Sequence, residues 1–198
     1  MEQRNLNLAA LIGSRICHDL ISPIGAINNG LELLGMTGPA DGPEMALISE
    51  SVENAGARIR FFRVAYGAAG EQMMGPSEVG SILNDLSKGG RLDIRWDIED
   101  PQPRAEVRLV FLGLQCLETA MPYGGKIDIC LQDGNWTLAG AAGKLIIDQE
   151  LWDIVTGREP DPNVSPAQVQ FALLPLLAQD VARTISAQIS DTELKLRF

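Results

Sequence analysis

Histidine is almost absent from this chain of 198 residues, in which His18 is the single example. Metal sites built on several histidines and the helices of metalloproteases need at least two, so both are excluded. The sequence also contains no G-x-S-x-G elbow, no G-x-x-x-x-G-K-[ST] loop and no G-x-G-x-x-G turn. Any chemistry that needs an imidazole must therefore use His18.

Cysteine is scarce and odd in number, with Cys17, Cys116 and Cys130 and no C-x-x-C spacing. This argues against a disulfide framework and a cysteine zinc site, and we expect three reduced, buried thiols in a cytoplasmic protein. No apolar run approaches the roughly 18 to 20 residues of a membrane span. The first residues also lack the features of a secretion signal.

Basic side chains are outnumbered, with 16 lysines and arginines against 26 acidic residues and a formal charge of -10. This balance argues against nucleic acid as the main partner, because no basic stripe is available to displace counterions from a phosphate backbone. The hydrophobic content of 45% is enough for one or two domains with buried cores.

Two heptad series predict a helical hairpin. The residues of the first series alternate four and three apart: Leu6, Ala10, Gly13, Cys17, Leu20, Ile24, Ile27, Leu31 and Leu34. The second series has the same rhythm: Met45, Ile48, Val52, Ala55, Ile59, Phe62 and Tyr66. Glycines and prolines between Gly35 and Pro43 separate the two helices. Two helices alone cannot cover such faces, so we predict a homodimer with a central four-helix bundle.

The rest of the chain alternates strand and helix patterns after a linker at 67–76. Helices are predicted at 79–86, 105–121 and from Ser165–Pro166 to about Arg183, and strands at 92–98, 127–131, 135–138, 144–147 and 194–198. We therefore expect an α+β fold of two domains, a hairpin at 1–70 and an α/β sandwich with a mixed sheet at 76–198.

His18 follows Cys17 in the first series, which places it roughly 130° from the centre of the apolar seam. The imidazole is therefore predicted to face solvent rather than the bundle core. Asp19 comes next and can accept a hydrogen bond from one ring nitrogen, which leaves the other nitrogen free as a nucleophile. Pro23 cannot donate to the Asp19 carbonyl, so a local bend or a free acceptor is expected there.

The residues around His18 predict a surface for a partner. Small side chains would allow close approach, a basic side chain lies one turn before the ring, and an exposed isoleucine would give an apolar contact. The predicted contact residues are Arg15, Ile21, Ser22, Gly25 and Asn29.

The run from His18 to Ile24, H-D-L-I-S-P-I, resembles the phosphoacceptor box of sensor histidine kinases, H-[ED]-[LI]-x-x-P-[LI]. The longer run from Cys17 to Leu34 is more similar to the alphaproteobacterial ChpT-type histidine phosphotransferases. The resemblance is strongest over 14–34, and the length and two-part layout of that family fit the whole chain.

This resemblance implies a phosphorelay. A nitrogen of His18 would attack a phospho-aspartate of a receiver domain, and the phosphohistidine would donate to the aspartate of another receiver. Asp19 would orient the ring, Ser22 occupies a kinase position linked to phosphatase activity, and Mg²⁺ would come with the receiver. The implied partners are the receiver of a CckA-like hybrid histidine kinase and CtrA-like and CpdR-like response regulators, with neither nucleic acid nor membrane.

The second domain resembles a degenerate kinase ATPase domain. The helix at 109–123 aligns with the kinase pattern N-x-x-x-N-A-x-x-Y, but Gln115 and Thr119 replace its two asparagines. The D-x-G-x-G and G-x-G-x-G boxes are missing as well. The chain is therefore expected to need no cofactor of its own and no ATP. Two alternatives remain at this point, an active histidine kinase core fragment and a non-enzymatic dimeric adaptor.

Overall fold

The computed structural model describes residues 2–37, 43–88, 90–158 and 164–198. The helices within these ranges are α1 (Glu2–Thr37), α2 (Pro43–Ala65), α3 (Pro76–Ser87), α4 (Arg104–Ala120), α5 (Gln149–Val155) and α6 (Val169–Asp180). The strands are β1 (Met73–Met74), β2 (Leu92–Trp96), β3 (Gln102–Pro103), β4 (Gly125–Gln132), β5 (Asn135–Ala141), β6 (Ser186–Ile189) and β7 (Glu193–Arg197). A short 3-10 turn, Pro166–Gln168, precedes α6.

Helices α1 and α2 pack along each other as the predicted hairpin. Helix α1 continues through Gly35 to Thr37, and the middle of the predicted connection, 38–42, lies outside the described residues. Pro23 lies inside α1 without ending it. In the first heptad series Leu20 and Ile27 are half-buried, whereas Ile24 and Leu31 are exposed. The apolar seam is therefore only partly covered within one chain.

The sandwich contains a mixed five-stranded sheet in the order β2-β4-β5-β7-β6, in which only the β2–β4 pair is parallel. Alternate residues of the central strands point to one face and are fully buried, as the register pairs Ile129 with Leu138 and Leu138 with Leu196. Helix α4 packs on this face and approaches it closely, because a Cβ on Gly113 would lie 2.9 Å from Leu196 Cδ2. The predicted α+β class is confirmed.

The end of α2 joins the hairpin to the sandwich. The ring of Phe61 stacks on Phe111 of α4, with 4.6 Å between centroids. Two arginines of α4 donate to the last carbonyls of α2, from Arg104 Nη2 to Arg63 O at 2.7 Å and from Arg108 Nε to Ala65 O at 3.2 Å. These bonds satisfy carbonyls that the end of a helix leaves without partners.

Some elements differ from the sequence prediction. The segment 144–147 is not a strand, because its Ile146 N–H donates to the Ala120 carbonyl at the end of α4 rather than to a strand. Helix α5, strand β6 and the small β1–β3 sheet were not predicted. The predicted helix from Ser165 begins as a 3-10 turn and ends at Asp180 rather than near Arg183.

The cysteines were expected to be buried, but only Cys116 is. Cys17 is exposed and Cys130 is half-buried, and all three are free thiols. Cys17 shares an exposed stripe of α1 with Ile24 and Leu31. Among the described residues, no helix combines the length and the apolar character needed to cross a membrane.

Candidate functional site

His18 stands on the surface of α1, and its side chain is 79% exposed. This agrees with its predicted heptad position. Its Nδ1 lies 3.1 Å from Asp19 Oδ1. A carboxylate accepts hydrogen bonds and has none to donate, so this contact assigns the ring proton to Nδ1. The Nε2 atom is then left with a free lone pair on the solvent side.

Asp19 is held more tightly than the ring that it contacts. Its side chain is 9% exposed, and its second oxygen, Oδ2, accepts from Arg15 Nε at 2.9 Å. A second guanidinium, that of Arg58 on α2, lies farther away, with 3.9 Å between Nη1 and Oδ2. The carboxylate is therefore fixed by a neighbour on its own helix and faces a positive charge from the other helix.

Arg15 also reaches the sandwich. Its Nη1 donates to the carbonyl of Ala167, in the 3-10 turn before α6, at 2.6 Å. Its side chain is 15% exposed, so it presents little surface to an incoming protein. Two of its five N–H donors are used within the chain, and a contact between Arg15 and a partner stays a prediction.

The other predicted contact residues lie on the accessible side of α1. Ile21 is 69% exposed, Ser22 and Asn29 are exposed, and Gly25 has open space where a Cβ would lie. A large apolar side chain with this exposure, beside a polar ring, marks a surface that a partner could cover.

A cleft of about 470 Å³ runs beside His18 between the two helices and the end of α3. Its residues were not predicted by the sequence apart from those on α1. From α2 and the region after it the cleft is lined by Leu47, Glu50, Ser51, Asn54, Ala57, Arg58, Asp85, Leu86, Lys88 and Gly90. The sequence did offer an indication of the cleft residues on α2, since Asn54 and Arg58 lie four residues apart and therefore share one face of a helix.

Two charged residues of this cleft neutralise each other at its rim. Lys88 Nζ donates to Asp85 Oδ1 at 2.9 Å, and this bond is the main reason why the pKa of Lys88 is raised and that of Asp85 lowered. Arg60 donates to the other oxygen of Asp85 at 2.8 Å. Arg58 is the cation of α2 that faces Asp19, with 3.9 Å between Nη1 and Oδ2.

The two residues that replace the kinase asparagines are engaged within the chain. The hydroxyl of Tyr66 donates to Gln115 Oε1 at 2.7 Å, and Gln170 Nε2 donates to Thr119 Oγ1 at 3.1 Å. Gln115 and Gln170 are both buried. Burial is the main cause that raises the pKa of Tyr66 to about 12, so its phenol stays a donor at neutral pH. The amide oxygen of Gln115 and the hydroxyl of Thr119 are thus both engaged in bonds within the chain.

No group of three or more histidine, cysteine or acidic side chains that could hold a metal ion occurs in the described part of the chain. Among the described residues, Asp19 is the carboxylate in hydrogen-bond contact with the His18 ring. Its two oxygens are already used by His18 and Arg15.

The comparison with protein families matches residues 76–193 to the model described as the histidine phosphotransferase C-terminal domain. The protein phosphotransferase ChpT of Brucella abortus (strain 2308) is 34% identical over 188 residues, which is 91% of this chain and 90% of that protein. This chain belongs to the histidine phosphotransferase family. It is accordingly a phosphotransferase of a phosphorelay.

One solved structure agrees with this membership of the phosphotransferase family. The structure of a bacterial phosphotransferase aligns with 97% of this chain and 95% of its own at 32% identity and a TM-score of 0.83. The histidine kinase AdeS of Acinetobacter baumannii aligns with 91% of this chain at 14% identity and a TM-score of 0.48.

Proposed function

We propose that His18 is the residue that carries the phosphoryl group in this phosphotransferase. The observation that supports this most is a ring that is 79% exposed while Asp19, at 9%, holds its Nδ1. The Nε2 lone pair would attack the phosphorus of an aspartyl phosphate on a receiver domain. The bond between phosphorus and the aspartate oxygen breaks, and the carboxylate leaves with its electron pair.

Asp19 stabilises the positive charge that the ring gains when Nε2 bonds to phosphorus, because its carboxylate faces the Nδ1–H. The second half of the relay is the reverse reaction with another receiver. The carboxylate of that receiver attacks the phosphorus, and the nitrogen takes back its electron pair. This chain supplies a nucleophile of fixed orientation, while alignment of the two proteins supplies most of the rate.

Mg²⁺ takes several oxygen ligands, and the described residues contain no group of three or more acidic, histidine or cysteine side chains that could hold it. We therefore propose that any Mg²⁺ comes with the receiver domain. ATP is not expected as a phosphate source, since Gln115 and Thr119 replace the two kinase asparagines and are hydrogen-bonded to Tyr66 and Gln170. The protein would thus act without ATP-dependent autokinase activity.

The surface that we propose for the receiver consists of Ile21, Ser22, Gly25 and Asn29 on α1, together with Arg58 across the cleft. The resemblance in the region of His18 supports a CckA-like hybrid kinase receiver as donor and CtrA-like and CpdR-like regulators as acceptors. The acidic balance of the chain supports protein rather than nucleic acid as partner, and the free cysteines support a cytoplasmic location.

A homodimer is part of this proposal. Apolar residues seven apart are exposed along both helices: Cys17, Ile24 and Leu31 on α1, and Met45, Val52 and Ile59 on α2. Two stripes of this kind on one hairpin fit the same two stripes of a second copy, related by a two-fold axis. Ile21 lies beside the first stripe and would stay free for the receiver.

The test is transfer from a phosphorylated receiver domain to this chain. We expect phosphate on the wild-type protein that is labile in acid and stable in base, and none on His18→Ala. Incubation with ATP alone is expected to leave the chain unlabelled. Labelling of His18→Ala would contradict the assignment of the acceptor, and labelling by ATP would favour a kinase.

A further inference from the structure

The side chain of Arg15 connects the phosphoacceptor region to the sandwich through two hydrogen bonds. Nε donates to Asp19 Oδ2 at 2.9 Å, and Nη1 donates to the backbone carbonyl of Ala167 at 2.6 Å. The two acceptors lie in different domains, 4 and 152 residues from Arg15 along the chain. Because a guanidinium is planar and rigid, fixing one edge of it fixes the direction of the other.

The carbonyl of Ala167 is itself held in place. It also accepts from Gln170 Nε2 at 3.1 Å, and the same nitrogen donates to Thr119 Oγ1 at 3.1 Å. The 3-10 turn is closed by bonds from the Ser165 N–H and hydroxyl to Gln168 Oε1, at 3.1 and 2.8 Å. A continuous network thus leads from Thr119 on α4 through Gln170, Ala167 and Arg15 to the carboxylate of Asp19.

We propose that Arg15 is a positioning residue for the phosphoacceptor and that, through it, the sandwich sets the orientation of the His18 ring. This inference rests on the proposed role of His18 and assigns a task to the C-terminal domain in the same reaction. The carboxylate of Asp19 can rotate about its own bond. Oδ1 therefore stays aimed at Nδ1 only while Oδ2 is held, and Arg58, at 3.9 Å, is too distant to hold it by a hydrogen bond.

An ion pair four residues apart on a helix surface is weak when both side chains are solvated. The pair of Arg15 and Asp19 differs because both side chains are largely buried and the guanidinium is anchored to a backbone carbonyl. Thr119, which replaces a kinase asparagine, also takes part in this network. Its hydroxyl accepts from Gln170 Nε2, the same atom that donates to the Ala167 carbonyl.

The test compares Arg15→Met with Arg104→Met. Both substitutions remove an arginine bond to a carbonyl between hairpin and sandwich, but only Arg15 contacts Asp19. The first readout is the first-order transfer rate from a saturating phosphorylated receiver. The second is the ¹⁵N spectrum of the ring, which needs no receiver and is unambiguous because the chain has one histidine.

For Arg15→Met we expect a transfer rate about tenfold lower, with the receiver KM changed by less than about twofold, because a misaligned nucleophile slows chemistry more than binding. The ¹⁵N spectrum should no longer show that the proton of the neutral His18 ring is mainly on Nδ1. Arg15→Lys should recover part of both, since an ammonium can still reach Asp19. Arg104→Met should keep the wild-type rate and the wild-type spectrum.

Wild-type rate and spectrum in Arg15→Met would overturn the positioning role, as would an equal loss in Arg104→Met, which would make Arg15 a structural link only. Failure of the proposed function looks different: the wild-type protein would take up no phosphate on His18. In that case the ¹⁵N spectra still decide whether Arg15 orients the ring.

Discussion

At the residue scale, the properties of His18 come from an exposed ring and a buried neighbour. An imidazole in water has no preferred direction, and its two nitrogens compete for one proton. Asp19 fixes both the direction of the ring and the position of its proton, because its carboxylate binds the Nδ1 side. In the proposed reaction, the nitrogen that attacks phosphorus is therefore defined by a residue on the other side of the ring.

Asp19→Asn should reduce the rate of phosphoryl transfer about a hundredfold, because the amide cannot stabilise the charge on the ring. The fold should survive, as the substitution keeps the volume. Rapid-quench measurement of label on the chain gives the rate, and circular dichroism checks the structure. Asp153→Asn is the matched control, since it also breaks an ion pair, with Arg158 at 3.2 Å, far along the chain on α5. Equal rates for both variants would remove Asp19 from the reaction.

Ile21→Glu should weaken receiver binding, because it replaces the exposed apolar contact beside His18 by a charge. We expect the receiver KM to rise about tenfold or more, while the rate at saturation changes little. Ile146→Glu, on an exposed isoleucine of the sandwich, is the control. A KM that stays at the wild-type value in Ile21→Glu would place the receiver elsewhere.

Residues adjacent in sequence were predicted better than residues that meet only in the fold. The exposure of His18 and its contact with Asp19 follow from helix geometry alone. The Ala167 carbonyl that draws Arg15 inward is 152 residues away, so no local pattern could indicate it. Arg58 was missed for the same reason, since its relation to Asp19 depends on how α2 packs.

At the scale of elements, the turn between α4 and β4 depends on a glycine that no other residue can replace easily. Gly124 has φ +87°, and a Cβ there would lie 2.3 Å from the backbone oxygen of Arg91. This close approach seats the start of β2 beside the start of β4, where Leu92 pairs with Gly125.

Gly124→Ala should lower the free energy of unfolding by about 2 kcal/mol or more, because both the backbone and its neighbour must shift. Gly80→Ala is the contrasting variant, since Gly80 lies inside α3 with open space around it. It should raise stability by about 0.5 to 1 kcal/mol. Urea unfolding measures both, and a neutral Gly124→Ala would contradict the close approach.

The elements that the sequence prediction missed are short and depend on their neighbours. Helix α5 contains Trp152, Ile154 and Val155, which favour strands by themselves, and it is stabilised by packing against α6 and by the Asp148 cap. Strand β6 is a polar edge strand with little apolar alternation. The segment 144–147 is apolar enough to suggest a strand, but its Ile146 N–H donates to the Ala120 carbonyl at the end of α4.

Tyr66→Phe tests the joint between α2 and α4, because it leaves the Oε1 atom of buried Gln115 without its donor. We expect a loss of about 1 to 2 kcal/mol in the free energy of unfolding at neutral pH.

A second effect of Tyr66→Phe depends on pH. Since folding raises the pKa of Tyr66 from 10.0 to about 12, the native state keeps its proton where the unfolded state loses it.

The stability that this raised pKa represents is fully present below pH 10 and is lost as pH rises toward 12. The wild-type protein should therefore lose stability more steeply over this range than Tyr66→Phe. Urea midpoints of both proteins across the range give the comparison. Parallel curves would show that the phenol is not shielded in the folded state.

At the scale of the whole molecule, the exposed heptad stripes predict the oligomeric state. Ile24→Asp combined with Ile59→Asp places a charge on both stripes, so the wild-type dimer should become a monomer at micromolar concentration. Sedimentation velocity measures the change. Ile146→Asp, at an exposed isoleucine of the sandwich, should leave the dimer intact. A wild-type monomer would show that these stripes serve another partner.

In the proposed reaction His18, the one imidazole of the chain, would store a single phosphoryl group on each copy of the protein. Two response regulators that drew on the same copy could then not both be served by one loading event. Activation of one would come at the expense of the other, and the relative affinities of the receivers would decide how the signal divides. No separate regulatory element is needed to divide the signal, because the two regulators already compete for the same phosphoryl group.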